Sequence, residues 1–152
     1  MKFNLLIYLI LFFMLPIAAV SAQMTNEQFP PNAILLAAYT GDMDMANTIL
    51  AGNPDRDVRD ALGGTALHVA IFQSNLDILK LLLDNGFDIN ATVPSNGYTP
   101  LHYCVWTNNL QAAKLLISYN ADRTKKDSTG CTPAEKAAKE GKRDILLILS
   151  RR

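Results

Sequence analysis

Hydrophobic residues are distributed along this chain in two different ways. From position 5 to 15 they run without a break, as LLIYLILFFML. Beyond position 32 they come in alternating short clusters. A compact cluster (NAILLAA, GGTALHVA, GYTPLHYC or GCTPAEKA) is followed by a longer apolar one (ANTIL, ILKLLL, AAKLLI or ILLIL). The first kind predicts a short helix of about two turns, and the second a helix with leucines and isoleucines spaced to bury one face. The signals for starting and stopping agree. Thr99 can cap a helix by accepting from its exposed N–H groups, and Pro100 at the first helical position loses nothing by lacking one. Thr132 with Pro133 does the same, and Thr65 caps with Ala66 in the place of proline. The short helix should stop near Ser74, Asn108 or Gly141, and Asn75, Asn109 or Lys142 should open the longer one.

The alternation is periodic. Thr65, Thr99 and Thr132 are 34 and 33 residues apart, and stepping back 33 from Leu67 reaches Ile34 in a degenerate first copy. Two short helices cannot bury their apolar faces alone, whereas copies stacked in a row share one continuous core. The period and the T-P-L-H element of the third copy resemble the ankyrin repeat family. The resemblance implies an all-α, helix-turn-helix solenoid of about four repeats, at roughly 32–59, 60–93, 94–126 and 127–152. It also implies hairpin-like loops set at a right angle to the helices, and a concave face built from loop tips and first helices. Copies two and three carry the pattern most fully. Copy four has Ala134, Glu135 and Lys136 where copy three has Leu101, His102 and Tyr103, and copy one lacks the threonine cap, as suits repeats that must shield a core from water.

The uninterrupted run asks for a separate reading. It follows Lys2, breaks at Pro16 and ends in AAVSA, which reads as an export signal cleaved after Ala22, with 23–31 as a tail. The competing reading is a retained membrane anchor, for which 18 residues from Phe3 to Val20 would just suffice. Cleavage leaves 130 residues with 13 basic and 14 acidic side chains. That balance argues against a nucleic-acid partner, which needs a concentrated basic face. The charge is nevertheless polarised: residues 23–121 carry 9 acidic and 4 basic side chains, and 122–152 carry 5 and 9.

Gly97 to Trp106 also holds a histidine and a cysteine, which raises the question of a nucleophile and its base. The register answers it. His102 falls at the position of His68, and Cys104 at that of Ala37, Ala70 and Ala137, so the cysteine replaces a buried alanine. By the resemblance, the histidines bond to neighbouring loop backbone. A nucleophile would need an activating partner in a cleft, and no zinc spacing, phosphate-binding glycine loop or pair of catalytic carboxylates occurs, so neither an enzyme nor a cofactor is expected. A Cys104–Cys131 disulfide is not expected either, because Cys104 should lie inside a helix and Cys131 at a loop tip.

Function must then come from display. Aligning the copies gives the column Tyr39, Phe72, Trp106, Lys139, near the ends of successive first helices. Core positions such as Leu67, Ala70, Leu82 and Leu101 are already filled, so these aromatics are expected to be exposed, as binding patches are. Gln73 and Thr107 flank them, and Tyr98 and Tyr103 complete the candidate partner-binding set. The expectation is a monomeric, non-catalytic module of the periplasm or the extracellular space that binds a protein through its concave face. The alternative is a structural spacer or envelope adaptor, for which the aromatic face would be incidental.

Overall fold

The computed structural model describes residues 29–151; the predicted leader and most of the tail lie outside them. Helices follow one another in four pairs: α1 (Ala33–Thr40) and α2 (Met43–Ala51), α3 (Ala66–Phe72) and α4 (Leu76–Asp84), α5 (Pro100–Thr107) and α6 (Leu110–Ser118), α7 (Pro133–Lys139) and α8 (Arg143–Ser150). Among the described residues no strand forms; an isolated antiparallel bridge joins Arg59 to Thr65. None of these helices is long and apolar enough to cross a membrane.

Local chemistry sets the helix ends. Thr132 and Glu135 form a capping box: the Glu135 N–H donates to Thr132 Oγ1 at 3.3 Å, and the Thr132 N–H donates to Glu135 Oε2 at 2.8 Å. In copies two and three a histidine takes the acid's part, with the N–H groups of Thr65 and Thr99 each donating to the Nδ1 of His68 and His102 at 3.2 Å. The first helices end on residues in the left-handed region, Gly41, Ser74, Asn108 and Gly141. Asp42, Asn75 and Asn109 then restart the chain, each accepting from a backbone N–H three residues on at 2.9 Å. Lys142 has only donors and cannot cap in this way. Its ammonium reaches back instead to the end of α5, donating to the carbonyls of Val105 and, at 2.9 Å, Trp106.

Each first helix packs on the next first helix, and each second helix on the next second helix. The faces they share are closed: Ile34, Leu67, Ile71, Leu79, Leu82, Leu101, Leu116 and Ile145 are almost fully buried. The loops are coupled as well. Ser128 N–H donates to Asn96 O at 2.9 Å, and His68 and His102 donate through Nε2 to Tyr98 O (3.2 Å) and Cys131 O (3.0 Å) of the following loop. Gly97, with φ +71°, sits at this crossing, where a Cβ would lie 2.8 Å from Ser128 N. The last first helix is the most polar, burying only Pro133 and Ala137, as the sequence of copy four implies.

Candidate functional site

The first helices present two parallel rows on the side of the loop tips. The outer row is the aromatic column. Tyr39 is 63% exposed, Phe72 55% and Trp106 50%, and the row ends at the exposed Lys139. The inner row, three residues earlier on each helix, is Leu36, Val69, Tyr103 and Lys136. These rows converge on two features.

At the first copy, Leu36, Tyr39, Val69 and the loop residue Leu62 surround a cleft of about 470 Å³, with Arg59 and Asp60 at its edge. Leu62 is the most exposed large apolar side chain among the described residues, and Leu36 is half exposed. Such a concentration of uncovered apolar surface marks an interaction site.

At the second and third copies the aromatics hold one another. Phe72 stacks on Trp106 at 5.8 Å between ring centroids, and Tyr103 meets Trp106 edge to face at 5.4 Å. Tyr103 was expected on the display surface, and the structure corrects this: it is buried, wedged edge to face against His68 at 4.6 Å. Its role is to support the indole from beneath. Tyr98 is half-buried, stacked on His102 at 5.4 Å and covered by the Lys136 ammonium 5.0 Å from its ring centre. Gln73 is exposed at the end of α3. Thr107 is half-buried, and its hydroxyl donates to Tyr103 O at 2.8 Å, leaving its methyl as the available group.

The two lysines differ. Lys136 lies 3.6 Å from the buried Asp127 carboxylate, whose other oxygen accepts from the N–H groups of Thr129 and Cys131. Burial pushes that carboxyl up, but the Thr129 and Cys131 hydrogen bonds and the lysine outweigh it and hold it at about 2. Lys139 instead donates to Cys131 Sγ at 2.8 Å, and among the described residues no carboxylate lies within 4.0 Å of it.

Both cysteines are free, and Cys131 is buried although it belongs to a loop tip. His102 holds its carbonyl inward and Lys139 covers its sulfur. That contact lowers the Cys131 thiol from its ordinary range, whereas burial pushes Cys104 up, so Cys131 is the more readily ionised of the two. Two thiols should titrate in denaturant, with Cys131 reacting first in the folded protein; a single thiol, or Cys104 reacting first, would refute this placement. Neither histidine reaches a thiol, since both their ring nitrogens are engaged with backbone. A second cleft of about 370 Å³, near Arg56, Arg59 and Lys125, is structural: Arg56 donates to Asn85 O and Arg59 to Thr92 O, both at 2.8 Å.

Comparison with known proteins fits this geometry. The family model for ankyrin repeats (3 copies) matches residues 5–93, 34–127 and 91–152. The chain belongs to the ankyrin repeat family. It is similar to the ankyrin repeat and SAM domain-containing protein 6 of Mus musculus, 37% identical over 67 residues, which are 43% of this chain and 8% of that protein. A putative ankyrin repeat protein of Acanthamoeba polyphaga mimivirus is 35% identical over 101 residues, 66% of this chain and 13% of the relative. An ankyrin repeat-containing protein of Schizosaccharomyces pombe is 34% identical over 105 residues, 69% and 49% of the two chains. The chain thus spans about half or less of the length of these relatives. Ankyrin repeats are generally non-catalytic protein–protein interaction modules.

Proposed function

We propose that this ankyrin repeat protein acts after export, in the periplasm or outside the cell, by binding a partner protein on the concave face formed by first helices and loop tips. One observation carries the reading: Trp106 and Phe72 are stacked, half exposed and braced from below by the buried Tyr103. Half exposed, these rings give the free fold only part of the packing that a buried aromatic gives, and leave apolar surface uncovered. Held in one orientation, it loses little further freedom when a partner covers it. Tryptophan and tyrosine so placed are the residues on which binding energy concentrates.

The test is capture of partners from an envelope or secreted fraction, followed by comparison with Trp106→Ala. The substitution should weaken binding by about 2 kcal/mol or more, as truncation of an interface anchor does. It should cost the free protein well under the ~3–5 kcal/mol of a buried aromatic. Trp106 is the sole tryptophan, so emission of the free protein should be red-shifted and readily quenched, then shift to the blue when the partner is added. Partner binding unaffected by the substitution would place the interface elsewhere. Recovery of a chain still carrying residues 1–22 would overturn the proposed cleavage.

A further inference from the structure

The face has a direction. Over the first three copies the outer row is aromatic and the inner row apolar; over the fourth both rows turn to lysine, Lys136 and Lys139. Lys136 is already matched by Asp127 and the Tyr98 ring. Lys139 is different, because its ammonium rests on a thiol, a poor acceptor that a carboxylate would displace at little cost. The other acids nearby are occupied: Glu135 is held in the capping box and Glu140 lies 2.9 Å from Lys142. Among the described residues, Asp127 and Glu135 attract Lys139 only from beyond ion-pair distance, which leaves its ammonium open to an incoming carboxylate.

We propose that the occupant of this face is a linear segment of the partner protein, apolar where it crosses copies one to three and acidic where it meets Lys139. This rests on the concave-face reading above and adds the segment's chemistry and its polarity. Neighbouring packed helices lie about 8–10 Å apart. With the Phe72 and Trp106 rings 5.8 Å apart, each step along the row corresponds to about four to seven residues of a helical segment or two to three of a polyproline II one. The partner should present apolar side chains at one of these spacings, facing Tyr39, Phe72 and Trp106. An Asp, a Glu or a terminal carboxylate should follow one step further on.

A random 20-residue peptide library displayed on phage, selected against the full chain, tests both the chemistry and the direction. The selected sequences should share apolar residues at a constant spacing with an acidic residue beyond one end. A synthetic peptide of that sequence should bind the Lys139→Glu chain about tenfold more weakly, and exchanging its acid for lysine should restore binding to that variant. Lys139→Gln should give an intermediate loss, and unchanged circular dichroism would show that both variants fold. Peptides that lose binding with Trp106→Ala but carry no acid, or ignore Lys139→Glu, would overturn the assignment and leave the concave-face reading standing. Peptides indifferent to both substitutions would overturn the two together, and failure to select any peptide would refute a linear occupant.

Discussion

Deleting residues 94–110 should leave an aggregating chain, whereas deleting 93–126 should leave a soluble, helical one, although the second deletion is twice as long. The short deletion removes α5 and the loop before it. With it go Leu101, Tyr103, Cys104 and Val105, all buried, and the apolar faces of α3 and α7 that packed on α5 are uncovered. Emptying the space of even one large apolar side chain costs about 2–5 kcal/mol. Losing several at once exceeds the ~5–15 kcal/mol that holds a domain together. The long deletion replaces like with like. Asp127 opens its loop as Val93 does, each donating its N–H to a carbonyl across the loop tip, Cys131 O at 2.8 Å and Tyr98 O at 2.9 Å. His68 would then meet Cys131 O in place of Tyr98 O, the same bond His102 makes now. The loop of the third copy is one residue longer than the others, and starting the deletion at 93 keeps the register. Size-exclusion chromatography and far-ultraviolet circular dichroism of the two chains decide the matter. Equal solubility would count against copies that are held by their nearest neighbours.

What could be read from the sequence was mainly what is decided locally. Threonine followed by proline, and asparagine before an apolar run, are signals within a single turn of helix. The helix starts after Thr65, Thr99, Thr132, Asn75 and Asn109 accordingly lie where the pattern places them. Exposure of Tyr39, Phe72 and Trp106 was also legible, because neighbouring leucines and alanines had already filled the core. What failed depended on a neighbouring copy. Leu36, Val69 and Tyr103 share one repeat position, yet Leu36 is half exposed while the other two are buried, and for Tyr103 the reason is the His68 ring against it. Cys131 reads as a loop-tip residue until Lys139, eight positions later, is seen to fold over its sulfur. The apolar cleft at Leu36 and Leu62 was missed for the same reason: its walls come from a helix and a loop of consecutive copies, although a leucine at a loop tip was a signal in plain view.

The same histidines that tie the loops together should make the fold sensitive to acid well above the range where carboxylates titrate. His68 is held neutral by its surroundings: Nδ1 accepts from Thr65 N–H, Nε2 donates to Tyr98 O, and burial lowers its pKa from 6.5 to about 4. Burial lowers His102 in the same direction. In the unfolded chain both protonate as the pH falls through 6.5, while in the folded chain they resist. The unfolded state therefore binds more protons, and stability declines as pH drops. For His68 the decline runs from pH 6.5 to about 4 and approaches ~1.4 kcal/mol per pH unit, or roughly 3 kcal/mol in all. Above about pH 7.5 both histidines are almost wholly neutral in either state and contribute almost no slope. Asp127 adds its own loss only later, between 3.8 and about 2. Urea denaturation at intervals from pH 7.5 to 4.5 should show this fall. The capping box supplies the control, since glutamine can take the third-position role that Glu135 fills in copy four. A chain carrying both His68→Gln and His102→Gln should lose the slope between pH 6.5 and 5 even if it starts less stable. If that chain loses stability with acid as steeply as the natural one, the histidines are not the cause.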